Sequence, residues 1–163
     1  MKDFQKSQIE KSLMEINGTV RDILQNKGGV IWTTTPQNTV YEAIGLMGEK
    51  NIGALIAVED GEVVGVLSER DYSRKVVLQG RTSRDTLVGE ILTRPAITVR
   101  RKDSIAKCME LMTSRRIRHL PVVTEDNRPI GLISMGDIVN WVMQSQHQTI
   151  QQLQGYISGE YPG

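Results

Sequence analysis

Two four-residue stretches, Ser68-Glu69-Arg70-Asp71 and Ser134-Met135-Gly136-Asp137, place a hydroxyl and a carboxylate three residues apart. Each follows directly on an apolar run, "VVGVL" (63–67) or "PIGLI" (129–133). Two kinds of chemistry suit that spacing. The seryl oxygen can accept an N–H of a helix's first turn while the acid favours the positive helix end, which is a capping arrangement. A helix start that faces a cleft is also an anion site. A carboxylate just inside it is badly placed for phosphate but well placed to accept both hydroxyls of a ribose, as acids do in dinucleotide folds. The two duties are compatible. Gly65 and Gly131, inside the apolar runs, permit close backbone approach.

A phosphate would also need cations. "TSRRIRHLPV" (113–122) supplies Arg115, Arg116, Arg118 and His119 just before an apolar strand. Between residues 94 and 118 eight Lys or Arg face only Asp103 and Glu110. Arg115 and Lys107 read as solvated helix-end charges. Arg118 and His119 instead open the strand that lines the cleft. Arg70 is a second candidate for charge-assisted contact. Its counterpart is Gly136, so the two copies should not bind equally. The first copy reads Gly53-Ala54-Leu55-Ile56 where the second reads Arg118-His119-Leu120-Pro121, and therefore brings no cation there.

Other constellations carry less. Cys108 occupies a helix-core position matching Ala43 and reads as a structural thiol, not a nucleophile. The two histidines lack paired-ligand spacing for a metal, and no Gly-Lys-Ser/Thr loop is present. Nothing pairs a nucleophile with a base, so no enzyme and no catalytic residue is expected.

The elements that position these residues occur twice. "VRDIL" (20–24) corresponds to "VGEIL" (88–92), and the β-rich "VIWTTTP" (30–36) to "PAITVRR" (95–101). Val40, Ala43, Ile44 and Met47 fall at i, i+3, i+4, i+7, as do Ile105, Cys108, Met109 and Met112, so each copy has one buried helix stripe. Each helix leads to a short strand, a turn ("EDGE", 59–62; "TEDNRP", 124–129), a second strand and a new helix. A β-α-β-β-α unit of this size has too little core to stand alone, so the two should pack on each other around a cleft. The expected organisation is an N-terminal helix (1–17), repeat one (18–79), a polar linker (80–86), repeat two (87–142) and a C-terminal helical extension (143–163). Ile9, Leu13 and Ile16 form a thin apolar stripe on the first segment. Val142, Ile150, Leu153 and Ile157 do so on the last.

Two such units in tandem, with "RHLPVV" (118–123) leading into the second hairpin and Gly-apolar-apolar-Ser-x-x-Asp closing both, resemble a pair of CBS domains, or Bateman module. The likeness covers about residues 18–142. It implies an α/β fold of α+β type, with two β-α-β-β-α units packed with pseudo-twofold symmetry plus terminal helices. It further implies a noncatalytic regulatory module that binds an adenine nucleotide between the repeats, AMP first, with ADP, ATP, NAD or S-adenosylmethionine as others. The ligand is regulatory, not a catalytic cofactor. A conformational change would signal to a homodimer mate or to a protein target.

By the same resemblance Asp71 and Asp137 hold the ribose, and Ser68, Arg70, Ser134, Gly136, Arg118 and His119 lie at the phosphate. The adenine slot is made by Lys27, Gly28 and Gly29, by Arg94, Pro95 and Ala96, and by Ile52, Gly53, Ala54 and Ile117. Gly28 and Gly29 serve equally well as a plain turn. The alternative is a structural or protein-interaction module with no functional ligand.

Bulk properties narrow the partners. With 20 Lys and Arg against 19 Asp and Glu, the 163-residue chain has a net charge of +1 and no global field for nucleic acid or an anionic membrane. Aromatic residues make up 4%, too few to stack single-stranded bases. The start of the chain is broken by charges and lacks a signal-peptide apolar region, and no apolar run is long enough for a membrane span. A lone cysteine agrees with a reducing compartment, and the cytoplasm is the expected location.

Overall fold

The repeat predicts two hairpins, each fed by a helix, and the computed structural model contains both. Residues 2–14 and 16–157 are described; the side chains of Ile9, Leu13, Ile150, Leu153 and Ile157, on which the expected terminal stripes rest, lie outside them. The chain runs through α1 (Lys2–Met14), α2 (Val20–Lys27), β1 (Thr33–Thr34), α3 (Val40–Lys50), β2 (Ala54–Glu59) and β3 (Glu62–Ser68). Next come α4 (Glu69–Tyr72), a π-helical turn (Ser73–Val77), α5 (Val88–Ile91), α6 (Ile105–Arg115), β4 (His119–Val123), β5 (Pro129–Ser134) and α7 (Met135–Ile157). The fold is of the α+β class.

Local sequence sets the long helices in the same way twice. The Thr39 hydroxyl accepts the Glu42 N–H at 3.2 Å, and the Ser104 hydroxyl accepts the Lys107 N–H at 3.0 Å. Both helices end on a left-handed residue, Asn51 or Arg116. Val40, Ala43 and Met47 are buried in one, and Ile105, Cys108 and Met112 in the other. Asp60 and Gly61, both at positive φ, close the β2–β3 hairpin, as a tight two-residue turn requires. The first sheet has the order β1-β2-β3, with β1 parallel to β2 and β3 antiparallel. In the second, β4 pairs with β5, and Val99 alone bridges Val122 where a third strand would run. The expected β-rich stretches are therefore much reduced. Val30 and Trp32 are exposed and only Thr34 and Pro36 are buried, which leaves the first of them little inner face to pair and pack.

The two repeats exchange their first helices. Val20 and Ile23 of α2 lie in the core of the second repeat, with Ile105, Cys108, Met112, Leu120 and Ile133. Val88 and Ile91 of α5 lie in the core of the first, with Val40, Met47, Leu55 and Leu67. Backbone bonds fasten both crossings. Val20 N–H donates to Asp103 O (2.9 Å) and Ile105 N–H to Gly18 O (3.1 Å); Val40 N–H donates to Thr86 O and Val88 N–H to Asn38 O, each at 2.8 Å. Each buried aliphatic side chain is worth about 1.5–3 kcal/mol, so each core depends on the other repeat. The paired glycines serve this exchange. A Cβ at Gly65 would lie 2.3 Å from Leu92, and one at Gly131 would lie 2.6 Å from Leu24. The close approach read from the sequence is thus the approach of an exchanged helix.

Candidate ligand-binding site

Where β3 runs into α4 the repeats leave a cleft of about 590 Å³, within the usual size of a small-molecule site. The first repeat supplies Gly53, Val66, Ser68, Glu69, Arg70 and Asp71, with Arg74 and Lys75 one turn on. The second supplies Thr93, Ala96 and Ile97, then Arg115, Arg116, Ile117, Arg118 and His119.

Asp71 is 9% exposed and fully engaged. Its Oδ2 accepts the Ser68 N–H (2.9 Å) and hydroxyl (3.0 Å), and its own N–H donates to Ser68 Oγ (3.2 Å), which is the reciprocal cap. Its Oδ1 accepts the Thr93 hydroxyl at 3.1 Å and pairs with Lys75 at 3.0 Å. Thr93 is carried there by the exchanged helix, because its backbone N–H and C=O both bond to Val66. Arg70 reaches across the repeats, donating from Nη1 to Arg116 O at 3.1 Å. His119 faces the first repeat at its glycine: a Cβ at Gly53 would sit 3.5 Å from His119 Nε2. Burial above all, then the Lys27 and Arg118 charges, lowers the His119 pKa against the opposing pull of Asp137.

The second Ser-x-x-Asp is capped alike, with Ser134 N–H on Asp137 Oδ2 (2.8 Å) and Asp137 N–H on Ser134 Oγ (3.1 Å). What meets it differs. Lys27 Nζ donates to Asp137 Oδ2 and to Leu132 O, both at 2.7 Å.

The structure thus gathers Ser68, Arg70, Asp71, Ala96, Gly53, Ile117, Arg118 and His119 into one cleft and holds Ser134, Asp137 and Lys27 together in another place. Lys27 meets a carboxylate instead of edging an adenine slot. Gly136 has open space around it, with Ser134 Oγ nearest at 3.6 Å from a built Cβ. Gly28 and Gly29 line a separate hollow of about 360 Å³ with Arg21, Leu24, Gln25, Arg101 and Ile130. Arg94 turns back, donating to Gly89 O at 2.8 Å, and Pro95 is exposed outside the cleft lining. Ala54 is wholly buried in β2, and Ile52 packs on the first core.

Sequence reasoning passed over Arg74 and Lys75 and took Arg115 for a solvated helix end, yet all three line the cleft. The i,i+4 spacing of Asp71 and Lys75 was a usable signal; nothing local announces the Thr93 contact. Cys108 is wholly buried, and burial, then Asp103, pushes its thiol pKa up to about 11, so it keeps its proton at neutral pH. Among the described residues no group of His, Cys, Asp and Glu forms a metal site, and no helix is long and apolar enough to cross a membrane.

The CBS domain family matches residues 20–77 and again 88–144. The mitochondrial CBS domain-containing protein CBSX3 of Arabidopsis thaliana is 40% identical, over 96% of this chain and 80% of that protein. Among solved structures, a CBS-domain protein of Burkholderia ambifaria, proposed to act in signal transduction, is 47% identical with a TM-score of 0.75, covering 79% of this chain and 96% of that one. The CBS domain pair of MJ0100, solved with 5′-methylthioadenosine and S-adenosyl-L-methionine, is 25% identical with a TM-score of 0.71, covering 78% and 98%.

Proposed function

The chain belongs to the CBS-domain family, and from that premise we propose that it is a noncatalytic regulatory module holding an adenine nucleotide in the Asp71 cleft. One observation carries this reading: a single cleft combines a buried carboxylate for a diol, apolar side chains for a base, and cations for phosphate. Asp71 would take the ribose hydroxyls on Oδ1, displacing the Thr93 hydroxyl or the Lys75 ammonium. Ala96, Ile97 and Ile117 would sandwich the base, and Arg70, Arg118 and His119 would meet the phosphate beside Ser68. The MJ0100 pair, solved with adenosine compounds, supports the ligand class.

Because Arg70 and Thr93 each tie one repeat to the other at the cleft, a ligand there would change the relation of the repeats. A homodimer mate or protein target would receive that change; the exposed Val139 and Met143 on α7 suit such a contact. Cytoplasmic residence stays part of the proposal, although the plant relative is named as mitochondrial.

Titration calorimetry with AMP, ADP, ATP, NAD and S-adenosylmethionine tests the reading. Binding of at least one, with thermal stabilisation of about 2.7 kcal/mol at a hundredfold excess over Kd, is expected. No binding by any of them would leave the alternative, an interaction module without a ligand. One observation favours that alternative: both carboxylate oxygens of Asp71 are already satisfied within the chain.

A further inference from the structure

The charge in the Asp71 cleft exceeds what one phosphate needs. Six cationic side chains line it, against Glu69 and Asp71. Lys75 is spent on Asp71, and Arg70 is anchored on the Arg116 carbonyl. Arg74, Arg115, Arg116 and Arg118 form no ion pair among the described residues. The attraction of cations to a helix C-terminus accounts for Arg115. It bears also on Arg74, in the last turn of the π-helical segment, but not on Arg118, which lies beyond the helix. The whole chain has a net charge of +1, so this concentration is local. Like charges gathered in a concave site repel one another and raise the local concentration of an anion.

A monophosphate carries at most about two negative charges, and each further phosphate adds more. S-adenosylmethionine brings a cationic sulfonium instead. We propose that the cleft selects a nucleoside di- or triphosphate over the monophosphate and over S-adenosylmethionine. Arg74 and Arg116 hold the outer phosphates, and Asp71 holds the ribose. The inference rests on the nucleotide reading of the cleft and sharpens it.

The test is calorimetry of the intact chain with AMP, ADP, ATP, S-adenosylmethionine and inorganic tripolyphosphate, in buffer containing EDTA so that each anion presents its full charge. ADP and ATP should bind on the order of tenfold or more tighter than AMP, as one or two charge-assisted contacts would give. The Arg74→Ala/Arg116→Ala double variant should erase that advantage, bringing ADP and ATP to about the affinity of AMP for the same variant. Both side chains are exposed, and an unchanged melting curve would confirm that the variant is folded. AMP binding as tightly as ATP, or S-adenosylmethionine binding tighter than either, would overturn the inference and leave the nucleotide reading standing. Tripolyphosphate matching ATP would keep the charge assignment and sink the nucleotide reading. No binding by any of the five would sink both.

Discussion

The two Ser-x-x-Asp sites begin from the same cap and end in different places. At the first, Thr93 pairs through its backbone with Val66, closes that strand edge, and leaves a lined cleft beyond Asp71. At the second, a side chain does both tasks: Lys27 Nζ donates to Leu132 O, in the position equivalent to Val66, and also to the carboxylate. The helix α2 has eight residues against four in α5, and Lys27 sits in its last turn, from which it turns inward. One duplicated motif has thus become the edge of an open cleft and a lock. What separates them is the segment delivered by the exchanged helix, not the motif.

The exchange itself gives the largest effect that bears on this comparison. Gly65→Ala would drive a methyl into Leu92 at 2.3 Å and into the Thr93 carbonyl at 2.8 Å. Because backbone cannot swing aside, a loss of about 2–4 kcal/mol is expected. Gly131→Ala meets only the side chain of Leu24, and should cost about 1 kcal/mol. Urea denaturation of the two variants measures the difference. Equal losses would show that the first crossing is no tighter than the second.

Next in size is the effect on ligand. Asp71→Asn keeps the shape of the cap but weakens acceptance from a diol, so affinity for the best-binding nucleotide should fall about tenfold or more. Asp137→Asn, at a carboxylate already taken by Lys27, should change it less than twofold. The reverse order in calorimetry would exchange the roles of site and lock.

Much of this was legible in the residues because the repeat is legible. The stripes of α3 and α6, the hairpins and the Ser-x-x-Asp caps follow from local periodicity and capping chemistry, which act over a few positions. The exchange of α2 and α5 was not legible. "VRDIL" and "VGEIL" announce amphipathic turns, but nothing in them says whose core they enter. For the same reason Thr93 and Lys27, which decide the fate of the two acids, could not be assigned: each meets its carboxylate only after the chain has crossed to the other repeat. Arg94 and Lys27 occupy similar places in the two copies, yet one turns back to Gly89 and the other reaches Asp137.

The lock can be opened without great cost. The Lys27–Asp137 pair is partly solvent-exposed, at 38% and 19%, and such pairs contribute at most about 1 kcal/mol. Lys27→Met should therefore fold normally and raise the calorimetric stoichiometry from one nucleotide per chain to two. The second site should be the weaker, since Gly136 replaces Arg70 there. A stoichiometry that stays at one would mean that more than this ammonium seals the second acid.

The smallest effect joins the two regions through His119, which lines the first cleft and feels the charges of the second. Its folded pKa is depressed, by burial first and then by Lys27 and Arg118, below the unfolded value near 6.5. The unfolded chain therefore binds more protons in this range, so stability is complete above about pH 6.5 and declines as pH falls toward the folded pKa. His119→Gln should flatten that slope in denaturation curves between pH 7.5 and 5.5. Asp103 does not confuse the window. Against the cost of its burial, the Arg100 N–H and the Lys107 ammonium hold its carboxyl below the usual range, so its contribution is lost only in stronger acid. An anion beside His119 would stabilise the imidazolium and draw a proton into the complex. Nucleotide affinity should then rise over the same pH interval in which stability falls, and the His119→Gln chain should show neither trend. Calorimetry in buffers of different ionisation enthalpy reads the proton directly. Its absence would place the phosphate away from His119, on the arginines alone.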